Sequence, residues 1–170
     1  MEITFNKTSW LNLANPGFKD LSFLENEIRV NQAVLKEALG LNKRPKIEEF
    51  NNYLFLVLHF PVFHPDKRLT IPTEIDFIIT PERLITIFQN SNPCLDQIFQ
   101  EIKNNEILQQ TYFKNTGWLL FYILNKMVDS CLPMLDHIHE KIEIIEQDMF
   151  KGKEREMLKE IAIVKRDIID

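Results

Sequence analysis

The chain has 170 residues, of which 45% are hydrophobic and 26% charged, enough for one good-sized domain with a real core. A net charge of −5 gives no electrostatic invitation to nucleic acid, whose binding needs clustered Lys and Arg to displace counterions, so no nucleic-acid partner is expected. With 13 Phe against only 4 Gly, little sequence is left for phosphate-cradling loops.

The first half reads as strands mixed with short helices. EITFN (2–6) and WLNLA (10–14) are short strand candidates, the second closed by Asn15-Pro16-Gly17. KDLSFLENE has the look of a short helix. Asn31 is placed to cap a second helix, QAVLKEAL, and Gly40 to stop it. YLFLVLHF (53–60) is too short and too apolar for a surface helix and reads as a buried strand. TEIDFIIT (73–80) alternates, with Ile75, Phe77 and Ile79 on one face and Glu74, Asp76 and Ile78 on the other. Pro81-Glu82-Arg83 then turns the chain into LITIFQ (84–89), which predicts a β-hairpin over 73–89. Asn92-Pro93 supplies a cap and a first-turn proline for a helix to about Lys103, with Ser91 read as part of the cap.

The second half is nearly all helical. From Thr116 the apolar seam is Leu120, Leu124, Met127, Cys131, Leu135, Ile138, Ile142, Ile145 and Met149, in steps of four and three. Two fours meet at Pro133, which predicts one long helix kinked there. Gly152 marks a turn, and a last helix begins near Glu154 with Met157, Ile161, Val164 and Ile168 as its seam. Two long helices joined at Gly152 predict an antiparallel hairpin. The predicted organisation is a domain of the α/β (α+β) class over 1–110 and long helices over 111–170. The last helix carries no stop signal before Asp170, and we read this as a truncation in mid-helix.

Cys94 and Cys131 share no metal or redox spacing and suit a reduced, cytosolic setting. Met1-Glu2 does not open a signal peptide. The apolar runs YLFLVLHFPVF and TGWLLFYILN fall short of the ~20 residues that span a bilayer, so the chain reads as soluble.

Candidate chemistry is sparse. Ser9, Ser22, Ser91 and Ser130 lack a glycine-flanked elbow, and no P-loop or dinucleotide pattern occurs, so the chain is not expected to be an enzyme. His137 and His139 stand two apart on a helix, where a zinc pair wants four, and DHIHE (136–140) reads as a solvated polar stripe. Glu140, Glu143, Glu146 and Asp148, interleaved with Lys141, Lys151 and Lys153, read the same way. His59 reads as a core or strand-edge histidine. His64 enters a Pro-Asp turn.

The stretch LKEALGLNKRPKIEEFNNYLFLVLHF (35–60) resembles the CorA family of divalent-cation transporters. In that family an LED-x-L helix precedes RPK-(I/V)-E-x-(F/Y)-x-x-Y-x-F-(L/I)-V-L, and Arg44, Pro45, Lys46, Ile47, Glu48, Tyr53, Phe55, Val57 and Leu58 match it. TEIDFIITPERLITIF is similar to the family's next hairpin, and WLNLANP to its early strand. WLLFYILNKMVDSCLPMLDHIHEKIEIIEQDMF is similar to the start of its long helices, with Val128-Asp129 at its "VD" and Pro133 at a common proline. Lys165-Arg166 falls where the family has "KR" early in its stalk helix.

The resemblance implies a three-layer α/β/α domain with a mixed sheet, followed by a long antiparallel helical hairpin that is a truncated stalk. It implies a homopentamer on the cytoplasmic side of the cell membrane, and a Mg²⁺ transporter whose Gly-Met-Asn pore motif and membrane spans are absent from this sequence. On that reading the chain is the cytoplasmic regulatory domain, engaged in intersubunit cation sensing and gating, and is unable to transport by itself. As a fragment it is expected to be a monomer or a weak oligomer, tied to the membrane only through spans it lacks. The zinc-transporting branch of the family and a stand-alone helical-hairpin interaction module stand as alternatives.

The family's regulatory Mg²⁺ bridges acidic residues of neighbouring subunits, and the resemblance carries over Glu37 alone as a candidate metal contact. Lys36 stands where the family's "LED" has an acid, and Asn125 where the long helix often has Asp. An ammonium at Lys36 is expected to weaken cation binding or to replace the metal by an intersubunit ion pair. Weak or absent Mg²⁺ binding by the fragment follows.

Overall fold

The structure, a computed structural model, describes residues 1–40, 44–64, 69–89, 92–152 and 154–169. The expected Pro65-Asp66 turn, the cap role of Ser91 and the chain end at Asp170 lie outside the described residues.

By compactness the chain forms two units, Met1–Phe60 with Thr73–Met127, and Pro61–Pro72 with Val128–Asp170. The first is built on strands β1 (Glu2–Phe5), β2 (Thr8–Ala14), β3 (Lys46–Glu49), β4 (Leu54–His64), β5 (Leu69–Ile79) and β6 (Arg83–Phe88). They form one sheet in the order β1-β2-β6-β5-β4-β3. Pairing is antiparallel for β1–β2, β3–β4 and β5–β6 and parallel for β2–β6, so the sheet is mixed as expected. The β5–β6 hairpin closes at Thr80, whose N–H donates to the Arg83 carbonyl (2.9 Å) while its Oγ1 accepts from the Arg83 N–H (2.9 Å).

Helices cover both faces of the sheet, because its central strands are apolar on both. On one face Leu13, Phe55, Val57, Ile78, Ile85 and Ile87 pack with Leu24 of α1 (Phe18–Asn26) and with Val34, Leu35 and Ala38 of α2 (Gln32–Leu39). On the other, Trp10, Ile75, Phe77, Leu84 and Phe88 meet three helices. These are α3 (Pro93–Lys103), α4 (Glu106–Tyr112) and α5 (Thr116–Asp129). This is the three-layer arrangement. Trp10 is fully buried there, edge-on to Phe99 with ring centroids 5.0 Å apart.

The local signals hold where they are local. The Asn31 side chain accepts from the Ala33 N–H and Gly40 caps the far end of α2. The Asn92 side chain accepts from the Leu95 N–H (3.0 Å), with Pro93 in the first turn of α3. β3 and α4 escape a pattern reading, the one being four residues of KIEE and the other seven residues capped by Asn105.

Two readings are corrected. The expected helix from Thr116 to Met149 is two helices, α5 ending at Asp129 and α6 (Leu132–Phe150) beginning at Leu132. Pro133 lacks an N–H, and its ring crowds the carbonyl four residues back, that of Asp129, so one helix stops there and the next starts with proline in its first turn. The buried stripe of α5 is Leu119, Tyr122, Ile123 and Met127, with Leu120 and Leu124 flanking it. Met127 is buried as the seam predicts, while Leu119 and Ile123 take the buried places expected of Leu120 and Leu124.

In the second unit α6 packs against α7 (Glu154–Ile169), with Gly152 at a φ of 81° in the turn between them. That left-handed conformation favours glycine. Ile145 and Val164 are buried where the helices meet, while Leu135, Met149 and Ile168 remain exposed. Among the described residues, no helix is long and apolar enough to cross a membrane.

Candidate functional site

A cluster of charged groups in the first unit lies on the α1/α2 face, at the β3–β4–β5 side of the sheet. α2 buries Val34, Leu35 and Ala38, which leaves Glu37 at the rim of that face and Lys36 exposed. On β3, Lys46 pairs in register with Val57 and Glu48 with Phe55, so both side chains share a face with buried β4 residues. The Lys46 ammonium lies 5.5 Å from the centre of the Phe55 ring. It donates to Glu37 Oε1 at 2.6 Å and to Glu48 Oε1 at 3.0 Å.

β4 and β5 add His59, Glu74 and Asp76. His59 Nε2 and Glu74 Oε2 lie 3.4 Å apart. Asp76, opposite Ile87 of β6, is 2% exposed, and its Oδ1 has no hydrogen-bond partner. Burial pushes its carboxyl up from 3.8 to about 8, with the Glu74 and Glu37 charges adding to the rise and Lys46 opposing it. The Lys46 ammonium is also shifted upward, which for a lysine favours the charged form. Its hydrogen bond to Glu37 holds it above the usual lysine value against the opposing effect of burial. Asp76 is thus a neutral acid at pH 7, and Lys46 a firmly charged base.

Glu37 is therefore brought into a cluster, but not into one shaped for a metal. A divalent cation of the Mg²⁺ or Ca²⁺ type takes six or more oxygens at about 2.0–2.6 Å. Here Glu37 Oε1 already accepts from an ammonium, whose charge repels a cation. Among the described residues, no group of three or more His, Cys, Asp and Glu side chains is arranged to hold a metal ion. Within one chain, the described residues around Glu37 do not by themselves make a site for a divalent cation. Within this chain the ammonium that meets Glu37 is that of Lys46. Asn125 lies exposed on α5, which covers the opposite face of the sheet.

Pattern reading missed Lys46 as a partner of Glu37, and Asp76 as a group that feels its charge, since their meeting depends on the order of strands. The available signal was Glu74 and Asp76, two acids on one face of a strand rich in isoleucine. His137 and His139 are exposed, and His139 sits 3.3 Å from Glu143 one turn on, as a solvated stripe would have it.

A family model described as "CorA-like Mg2+ transporter protein" matches residues 5–170. The cobalt/magnesium transport protein CorA of Thermotoga maritima is 22% identical over 163 residues, which is 95% of this chain and 46% of that protein. The protein of the same name from Methanocaldococcus jannaschii is 21% identical over 170 residues, 99% of this chain and 52% of that one. The chain thus spans about half the length of these relatives. Among solved structures, the soluble domain of CorA from Methanocaldococcus jannaschii superposes with a TM-score of 0.80 at 20% identity, covering 96% of this chain and 64% of that one. The ZntB cytoplasmic domain from Vibrio parahaemolyticus gives 0.67 at 18% identity, covering 96% and 66%.

Proposed function

The chain belongs to the CorA family of Mg²⁺ transporter proteins, and from that premise we propose that it is the cytoplasmic regulatory domain of a magnesium transporter. The single observation that carries the reading is a family match running from residue 5 to residue 170. In the complete protein the domain stands on the cytoplasmic side of the membrane in a homo-oligomer, most simply a pentamer, and takes part in cation sensing and gating across the contacts between subunits. Transport itself resides in membrane spans outside these residues. We assign the chain no catalytic step. The isolated chain binds Mg²⁺ weakly or not at all, in keeping with the ammonium that already answers Glu37.

The test is ion uptake. The complete reading frame is expressed in cells that lack their own Mg²⁺ uptake, and growth is followed at limiting Mg²⁺. Restored growth with Mg²⁺ accumulation is expected. Accumulation of Zn²⁺ alone would move the chain to the zinc-transporting branch, and failure to move any divalent ion would favour the interaction module.

A further inference from the structure

We propose that the Lys46 ammonium is the resident cation of the acidic face, fastening Glu37 of α2 to Glu48 of β3 so that this corner of the domain is held without a metal ion. The inference deepens the regulatory reading, and rests on it in taking Glu37 as the position at which a cation would be sensed.

Three observations carry it. The first is geometry. One ammonium contacts carboxylates from two separate elements, at 2.6 Å to Glu37 and 3.0 Å to Glu48. These are distances for charge-assisted hydrogen bonds, the stronger class. The second is shielding. The Lys46 and Glu37 side chains are 26% and 35% exposed, and the lysine stem lies against the buried Phe55 ring. Partial burial protects the pair from the salt screening that makes open surface pairs nearly worthless. The third is charge balance. Glu37 and Glu48 face one ammonium, and Glu74 faces His59. Asp76 is buried with its Oδ1 unpartnered, the state of a neutral acid. Among the described residues, Lys46 already answers part of this negative charge, and no group of three or more His, Cys, Asp and Glu side chains is arranged there to hold a divalent ion. A lysine on a strand thus does permanently what a bound ion does reversibly, namely screen carboxylates that would repel each other.

The test is a set of thermal melts of the 170-residue chain in 10 mM MgCl₂ and in NaCl of equal ionic strength, on the wild type, Lys46→Met, Glu37→Gln and the double variant. The wild type is expected to melt at the same temperature in both salts. Lys46→Met is expected to melt about 2–6 °C lower in NaCl, a shift typical of losing a modest interaction in a chain of this size, and to recover part of the loss in MgCl₂. The double variant should lose that recovery. Glu37→Gln should lower the melting temperature equally in both salts, and it keeps the idea exposed to refutation if Lys46→Met does not fold. A wild type stabilised by MgCl₂ in a way that Glu37→Gln abolishes would overturn the proposal, as would a Lys46→Met or Glu37→Gln protein as stable as wild type in NaCl. These melts read the ion pair alone, whereas the uptake assay reads the function, so the two can fail separately.

Discussion

Asp76 makes the stability of this domain depend on pH in a direction opposite to that of most carboxylates. Its folded midpoint is about 8 against 3.8 when unfolded, so the folded state holds the proton more tightly. Stability is therefore full below pH 3.8 and is lost progressively as the pH rises towards about 8. Each pH unit in that window removes about 1.4 kcal/mol, and the whole window amounts to roughly 5–6 kcal/mol. That is a large part of the ~5–15 kcal/mol that holds a domain together. Asp76→Asn replaces the acid by a neutral group of the same shape. Urea unfolding of both proteins at whole pH values from 5 to 9 gives the difference in stability directly. Glu37, Glu74, His59 and Lys46 face the site in both proteins, and their own titrations largely cancel in that difference. The variant is expected to gain on the wild type by about 1.4 kcal/mol per pH unit, or roughly 4 kcal/mol between pH 5 and 8, and then to level off. The readout is the slope, because the amide introduces its own small offset beside Ile87. A difference that stays flat within about 0.5 kcal/mol from pH 5 to 8 would mean that Asp76 is already ionised in the fold, and the reasoning would fail.

Two further outcomes follow from the structure. Thr86 accepts from the Trp10 indole N–H (3.0 Å) and donates to Asn12 Oδ1 (2.6 Å) in a fully buried chain of polar groups. Thr86→Val keeps the shape and strands both partners, so a loss of about 2–3 kcal/mol is expected in denaturant melts, and an unchanged midpoint would refute it. Pro133→Ala removes the ring that stops α5 at Asp129, so amide exchange at Ser130, Cys131 and Leu132 should slow about tenfold, the effect of roughly 1.4 kcal/mol of added helix stability. Exchange as fast as in the wild type would show that something other than the proline breaks the helix.

What the sequence makes legible is what neighbouring residues decide among themselves. Asn31 and Asn92 cap their helices because a short polar side chain reaches a backbone N–H two or three residues on, and no distant contact is needed. The 73–89 hairpin follows from alternation and Pro81. The helix break at Pro133 was half legible. The proline marks the place, but whether a helix bends or stops depends on whether packing holds the two halves in line. The exchange of Leu120 and Leu124 for Leu119 and Ile123 in the α5 seam has a related cause. Leu120 and Leu124 lie next to Leu119 and Ile123 around the helix, and only the shape of the α3 and sheet surfaces selects which pair faces inward.

The contact between Glu37 and Lys46 was not legible in the sequence. The family pattern singles out Glu37, and the charge nearest to it in the sequence is Lys36. A helix turns adjacent residues about 100° apart, so Lys36 points away into solvent while Glu37 stays at the rim of the buried face. The ammonium that reaches it sits on β3, nine residues on, within the same RPK-I-E segment that carried the resemblance. Alternation along KIEE puts Lys46 and Glu48 on one side, and register with β4 turns that side towards Phe55 and Val57. Once α2 covers the same face, Glu37, Lys46 and Glu48 have to meet. Among the described residues Asp76, on a strand between apolar neighbours, has no ion pair of its own, and keeping its proton is the cheapest way to remain inside.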